Sequence, residues 1–260
     1  MLYRQLVVEL KRACTKKNLL LWFSMIVLLP AIRFFMISKG YEFYKPVEVF
    51  QETVSGIIPL LFPAIAMIVY LPSFLQEQRN HFIAYTRPRV PLHIYIMSKG
   101  LMNALLTGAV TFLLTFFPFI FIMYVENHLG MIHYSSLNEN MHIPAVTFSQ
   151  FLRYGEFVYG LVYSVWVAIN GVLYSTIAFM LLLNISNPFI ALSLPFLFYH
   201  IFNFVTALFD IPMFSPLSTI FPFNIEQQPL WTVLVPFLFL LVVSVTLFVF
   251  SIRNENEWMI

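Results

Sequence analysis

Long apolar stretches separated by short polar segments run along the whole chain of 260 residues. An α-helix needs about 20 mostly apolar residues to cross the hydrocarbon layer of a bilayer. Six stretches are long enough and are predicted to be transmembrane helices: residues 19–37, 56–75, 94–125, 157–183, 189–209 and 230–251. The pattern therefore predicts an all-α integral membrane protein whose residues 1–260 form a single transmembrane domain.

The composition agrees with a membrane location. Hydrophobic residues make up 60% of the chain and charged residues only 10%, with a mean hydropathy of +0.83, whereas soluble proteins contain about 25% charged residues. The single cysteine, Cys14, excludes an intrachain disulfide and a cysteine-based metal cluster. A net charge of +2 is too small to indicate a nucleic-acid partner. The apolar composition predicts instead that the chain is surrounded by membrane lipid.

The basic residues are distributed unequally between the two sides of the predicted six-helix topology. One side, formed by the N-terminus, the segment between spans two and three and the C-terminus, carries Arg4, Lys11, Arg12, Lys16, Lys17, Arg79, Arg87, Arg89, Lys99 and Arg253. The other side carries Arg33, Lys39, Lys45 and Arg153. Because cytoplasmic loops are enriched in Lys and Arg, we expect a multi-pass plasma-membrane protein with both termini in the cytoplasm.

The first 17 residues have the pattern of an amphipathic helix. Leu2, Leu6, Leu10 and Ala13 recur at helical spacing, and Glu9 and its basic neighbours are predicted to point elsewhere. Residues 1–17 are therefore predicted to form a helix that lies on the inner membrane surface.

The polar segment 76–91 is richer in candidate contacts than a topology signal requires. It begins as a charged continuation of span two, carries the apolar residues Phe82, Ile83 and Tyr85, and reaches a helix-ending proline at Pro88. We interpret it as a short exposed helix that docks on a cytoplasmic partner.

Span five carries a polar stripe at Ser193, His200, Asn203 and Asp210. On a helix of 3.6 residues per turn these positions fall within an arc of about 100°. Polar side chains at membrane depth face protein or water and not lipid. The stripe is therefore interpreted either as the wall of a cavity or as a set of interhelical hydrogen bonds.

Two other features concern helix packing and helix ends. Small residues recur in spans three and four, with Gly100 and Gly108 in one and Gly160 and Gly171 in the other, a pattern typical of closely packed helices. Between spans five and six, residues 210–229 contain four prolines, and the pair Ser215-Pro216 fits the start of a half-helix of about six residues. A proline-rich loop is the alternative.

The sequence lacks the residues of several catalytic and transport mechanisms. No phosphate-binding Gly-x-x-x-x-Gly-Lys-Ser/Thr motif occurs, so any ATPase activity belongs to another polypeptide. The spans carry no Asp, Glu, Lys or Arg at mid-depth, which argues against a proton or sodium relay. An intramembrane protease needs converging Glu and His residues, and only His200 is available. We therefore predict a protein that is not itself an enzyme.

The order of these features resembles a known family. The chain starts with a basic amphipathic segment, and two spans follow. After them come an acidic residue, a basic residue, a proline and, just inside span three, a lysine. The residues that carry this pattern are Glu77, Arg79, Tyr85, Thr86, Pro88, Val90 and Lys99. The pattern is similar to that of permease subunits of ATP-binding cassette transporters of the type-2 class, which have the type V exporter fold. That family usually has a Gly-Thr pair after the acidic start, where this chain has Asn80 and His81.

The resemblance implies that residues 77–89 form a cytoplasmic coupling helix in a groove of a separate ATP-binding subunit. The contact residues would be Glu77, Arg79, Phe82, Tyr85, Arg87 and Arg89. It also implies short re-entrant helices between spans five and six, and a translocation path along spans two and five that Ser193, His200, Asn203 and Asp210 would line.

The resemblance further implies a second permease subunit, identical or related, and ATP and Mg held by the ATP-binding subunit with no cofactor on this chain. The expected function is export of an amphipathic or hydrophobic cargo such as antimicrobial or cytolytic peptides. Lipid or drug export is the alternative within the same class. A six-span substrate-binding subunit of an energy-coupling importer is the alternative outside it.

Overall fold

The computed structural model describes residues 2–80, 91–135 and 145–253. The α-helices in this part of the chain are α1 (Leu2–Ala13), α2 (Lys16–Phe23), α3 (Leu29–Ile37), α4 (Pro46–Thr53), α5 (Ile57–Ile68), α6 (Leu71–Arg79), α7 (Leu92–Ile120), α8 (Glu156–Asn184), α9 (Pro188–Leu208), α10 (Pro216–Ile220) and α11 (Trp231–Arg253). Short helical segments of other types are Ser24–Leu28, Phe121–Glu126, Asn127–Leu129, Ser149–Tyr154 and Pro212–Phe214. Apart from one isolated bridge between Phe43 and Tyr134, the described residues contain no β-structure.

Within the described residues, five helical stretches are long and apolar enough to cross a bilayer. They are Lys16–Ile37, His93–Leu129, Glu156–Asn184, Pro188–Leu208 and Trp231–Ser251. The pair α4 and α5, bent by 54°, makes a sixth if it is counted as one span. The prediction of an all-helical fold with about six helices able to span a membrane is confirmed for the described residues, and these helices fit a multi-pass membrane protein.

Span two differs from the continuous helix predicted over 56–75. Helix α5 ends at Ile68 and α6 begins at Leu71, with Tyr70 in a non-helical conformation between them. Pro72 explains the break, because it has no N–H to donate to the carbonyl of Ile68 and instead occupies the first turn of α6.

Helices α7 and α8 pack at very short distance, as the small residues predict. A Cβ added at Gly160 would lie 2.3 Å from the ring of Phe119, and one at Gly171 would lie 2.9 Å from Thr111. Glycine is therefore required at these positions for the two helices to approach as closely as they do.

We call the side of the molecule on which α1 lies the α1 side. On the opposite side, Arg33 forms an ion pair with Glu52 at 2.9 Å. Nearby, the buried carboxylate of Glu126 accepts hydrogen bonds from the Ile132 backbone at 2.9 Å and from the Tyr134 hydroxyl at 2.7 Å. Burial, together with this bond, raises the pKa of Tyr134, which keeps its hydroxyl protonated as the donor.

Candidate functional site

Four charged side chains from three helices meet on the α1 side. Glu9 and Arg12 come from α1, Glu77 from α6 and Lys99 from α7. We call these four residues the ionic cluster. The side chains of Lys99 and Glu9 are almost completely buried, at 0% and 1% exposed. Burying a charged group costs free energy unless the group is paired, so the fold has to supply a partner for each charge of the cluster.

Lys99 is the centre of the cluster. Its Nζ lies 2.6 Å from each carboxylate oxygen of Glu77 and also donates to Glu9 Oε2. Arg12 Nη1 lies 3.2 Å from Glu77 Oε1 and 3.5 Å from Glu9 Oε1, and the Tyr95 hydroxyl donates to Glu77 Oε2 at 2.9 Å. The two cations balance the two carboxylates, and each carboxylate accepts from more than one donor, as a buried charge requires.

The local sequence explains why the cluster forms. Lys99 lies about two turns inside α7, too far from the start of the helix for its head group to reach water easily. Glu9 and Ala13, four residues apart on α1, form the face that packs inward, and both are buried.

The helical-wheel prediction for α1 is therefore wrong at one position. Glu9 is predicted to point away from the apolar contacts, but its side chain is buried, whereas Leu10 on the predicted membrane-facing side is 44% exposed. The pairing of Glu9 with Lys99 determines the rotation of the helix, because an unpaired lysine in an apolar interior costs more than one exposed leucine.

The residues predicted to contact an ATP-binding subunit are only partly described. Glu77 has a side chain 11% exposed and is engaged in the ionic cluster, whereas Arg79, the last residue of α6, is exposed. Phe82, Tyr85, Arg87 and Arg89 lie outside the described residues. The structure thus assigns Glu77 an intramolecular role and leaves Arg79 accessible.

One residue of the predicted polar stripe on span five holds the short helix α10. Asn203 Oδ1 accepts a hydrogen bond from the Leu217 backbone N–H at 2.9 Å. On the other flank, Trp166 Nε1 donates to the Thr219 carbonyl at 2.9 Å. Ser215 caps the first turn of α10 through its side chain, as the sequence predicts. Asn203 is therefore an anchor between α9 and α10.

The other residues of the stripe have different surroundings. His200 packs its ring against Phe196 at 4.4 Å between centroids, and its Nε2 is buried without a hydrogen-bond partner among the described residues. Ser193 is half-buried, and Asp210 is exposed beyond the end of α9, in the left-handed backbone region at φ 55°. Three of the residues therefore lie on α9 and Asp210 lies beyond its end, and the four do not form a connected network of hydrogen bonds.

Sequence reasoning missed the ionic cluster as a unit. It noted Glu77 and Lys99 separately and treated Glu9 and Arg12 only as parts of an amphipathic helix. The signal that was present is Lys99 itself, because a lysine inside an apolar helix needs an acidic partner. Two acidic candidates, Glu9 and Glu77, were available on the same predicted side of the membrane.

The part of the chain that the structure describes contains no group of three or more His, Cys, Asp or Glu residues that could hold a metal ion. Comparison of the chain with protein-family models, with curated proteins and with solved structures found no match.

Proposed function

We propose that this chain is the transmembrane subunit of an ATP-driven exporter for an amphipathic or hydrophobic cargo, such as antimicrobial or cytolytic peptides. In this proposal a separate subunit binds ATP and Mg, a second permease subunit completes the path, and the α1 side faces the cytoplasm. The observation that carries the proposal is the ionic cluster at the base of the polar segment between α6 and α7.

The position of the cluster supports a role in transmitting movement. Glu77 lies near the end of α6, and Lys99 lies about two turns inside α7. The two side chains bond to each other, and each also bonds to α1, Lys99 to Glu9 and Glu77 to Arg12. A partner that pulls on the intervening segment would therefore move three helices as one unit. Separating them would leave charged groups without partners in the apolar interior, which is strongly unfavourable.

The polar groups of α9 support a cargo path along α5 and α9. The Tyr199 hydroxyl donates to the Pro59 carbonyl at 2.9 Å and holds these two helices together. Next to it, His200 Nε2 is buried without a hydrogen-bond partner among the described residues. Buried polar groups normally find a partner, and the polar part of an amphipathic cargo or a second subunit would supply one.

The test is copurification of the full-length chain, carrying an affinity tag, from its native membranes. We expect a protein with a phosphate-binding loop to be recovered in about equal amount. Arg79→Ala should reduce its recovery, whereas Arg4→Ala, which removes an exposed arginine from α1, should not. Absence of any ATPase from the purified wild-type material would contradict the proposal.

A further inference from the structure

A cleft of about 860 Å³ opens on the α1 side between the first span and α6. Its volume is within the range of about 300–1,000 Å³ that is typical of sites for small molecules. Four of its residues on the first span, Lys17, Leu20, Leu21 and Ser24, are spaced so that they share one face of the helix. The cleft therefore follows the span from its charged start toward its apolar middle.

The lining changes from polar to apolar along the cleft. Thr15, Lys17, Asn18, Gln76 and Asn80 line one end, at the start of α2 and the end of α6. Leu20, Leu21, Ile68 and Pro72 line the part further from this end, together with Ser24 and Ser73. The hydroxyl groups of these two serines already form hydrogen bonds, with the Leu20 carbonyl and with Asn18. From Lys17 to Ser24 the helix rises by about 10 Å, which is the distance from the head-group region into the acyl chains.

The two walls of the cleft are held together by hydrogen bonds. Asn18 Nδ2 donates to Ser73 Oγ at 3.2 Å, and Trp22 Nε1 donates to the Val69 carbonyl at 3.0 Å. Both bonds cross from the first span to the segment around α6. The cleft is therefore formed before any ligand enters, and a ligand does not have to separate the helices.

The charge at the polar end favours an anion. Lys17 is exposed, and none of the carboxylates in residues 2–80, 91–135 and 145–253 forms an ion pair with it. The acidic residue at the edge of the cleft, Glu77, is already bound by Lys99 and Arg12. The lysine charge is thus available to a ligand.

We propose that this cleft binds one anionic phospholipid from the leaflet on the α1 side. The phosphate group lies against Lys17 and the hydroxyl of Thr15, and an acyl chain lies along Leu20 and Ile68. The gradient from polar to apolar lining matches a head group followed by a hydrocarbon chain, which a soluble phosphate ion would not use. The inference does not rest on the proposed export function.

The test is native mass spectrometry of the purified full-length chain, titrated with phosphatidylglycerol or with phosphatidylcholine that carries the same acyl chains. We expect the first phosphatidylglycerol to bind more tightly than the first phosphatidylcholine. Lys17→Gln should weaken binding of that first phosphatidylglycerol by about five-fold, the effect of one lysine near a lipid surface. Gln76→Trp, which fills the polar end of the cleft, should weaken it independently.

Lys16→Gln is the matched control, because Lys16 is the exposed neighbour of Lys17 and does not line the cleft. Equal losses in Lys16→Gln and Lys17→Gln would show diffuse surface attraction and would overturn the site. Equal binding of the two lipids would overturn the preference for an anion. Displacement of the lipid by inorganic phosphate would identify a site for the free ion instead. If Gln76→Trp does not fold, the comparison of phosphatidylglycerol binding by Lys16→Gln and Lys17→Gln still decides whether the site exists.

Discussion

Lys99 shows how one residue can determine the arrangement of three helices. It is a lysine with 0% of its side chain exposed, and it bonds to carboxylates 90 and 22 residues away in the sequence. Removing one member of a buried ion pair typically costs about 3–5 kcal/mol, because the partner stays buried without compensation. The position of α1 therefore depends on a side chain of α7.

Lys99→Met is expected to lower the stability of the folded chain by about 3–5 kcal/mol. Methionine fills a similar volume, so the loss comes from Glu9 and Glu77, which lose their lysine and keep Gln5, Arg12 and Tyr95 as partners. Thermal unfolding in detergent, followed by loss of helical circular dichroism, measures the change.

Two variants separate this effect from a general loss of charge. Lys11→Met removes an exposed lysine from α1 and should change stability by less than about 0.5 kcal/mol. Adding Glu9→Gln to Lys99→Met should recover part of the loss, since the double variant buries one carboxylate fewer. Equal destabilisation by Lys11→Met and Lys99→Met would contradict a cluster held by specific pairing.

At the scale of the helices, the close approach of α7 and α8 depends on Gly160. A Cβ at this position would meet three atoms of the Phe119 ring at 2.3–2.4 Å, and that ring has no exposed surface. Gly160→Ala is therefore expected to cost about 1–3 kcal/mol through overpacking, although alanine is the better helix former. Thermal unfolding of the variant in detergent measures this loss.

Gly100→Ala is the matched control on the facing helix. A Cβ there would lie 3.6 Å from Phe179, an ordinary van der Waals distance. This variant should be neutral or slightly more stable, because alanine has the higher helix propensity. Similar stability of the two variants would show that the helices can separate at little cost.

The anchoring of α10 gives a prediction for hydrogen exchange. Asn203→Leu removes the acceptor of the Leu217 backbone N–H, a bond of 2.9 Å. A lost hydrogen bond of about 1 kcal/mol corresponds to roughly a five-fold faster exchange of that amide. Ser193→Ala removes a side chain of α9 that forms no hydrogen bond with α10, so it should leave the exchange of residues 216–220 unchanged. Unchanged exchange in Asn203→Leu as well would remove Asn203 as the anchor.

The helices themselves could be predicted from the sequence, because each long apolar run needs its backbone bonds satisfied within one segment. The short capped helix α10 could be predicted for a similarly local reason, from Ser215 and Pro216. The break after Ile68 was missed because the apolar run continues past Pro72. The burial of Glu9 was missed because its partner is remote in sequence, and periodicity within one helix carries no information about such a partner.

At the scale of the whole molecule, charged contacts tie helices together on both sides, with different burial. The ionic cluster on the α1 side is buried, whereas Arg33 and Glu52 on the opposite side are 26% and 37% exposed. Exposed ion pairs contribute little to stability. A movement applied on the α1 side would therefore be transmitted through the cluster, and the opposite side would be freer to rearrange.

This difference leads to a test of transmission in the proposed complex with an ATP-binding subunit. The single cysteine, Cys14, is exposed immediately after α1 and can carry an environment-sensitive fluorophore. If the cluster moves α1 together with α6 and α7, then a non-hydrolysable ATP analogue should change the emission of this label in the wild-type complex.

Glu9→Gln keeps the size of the side chain but removes the charge that bonds to Lys99, so it should reduce this change in emission several-fold. Arg33→Gln, which breaks the exposed pair, should leave it intact. A full response in Glu9→Gln, with the ATPase still bound, would mean that α1 moves without the cluster, and the movement would then have to pass through α6 and α7 alone.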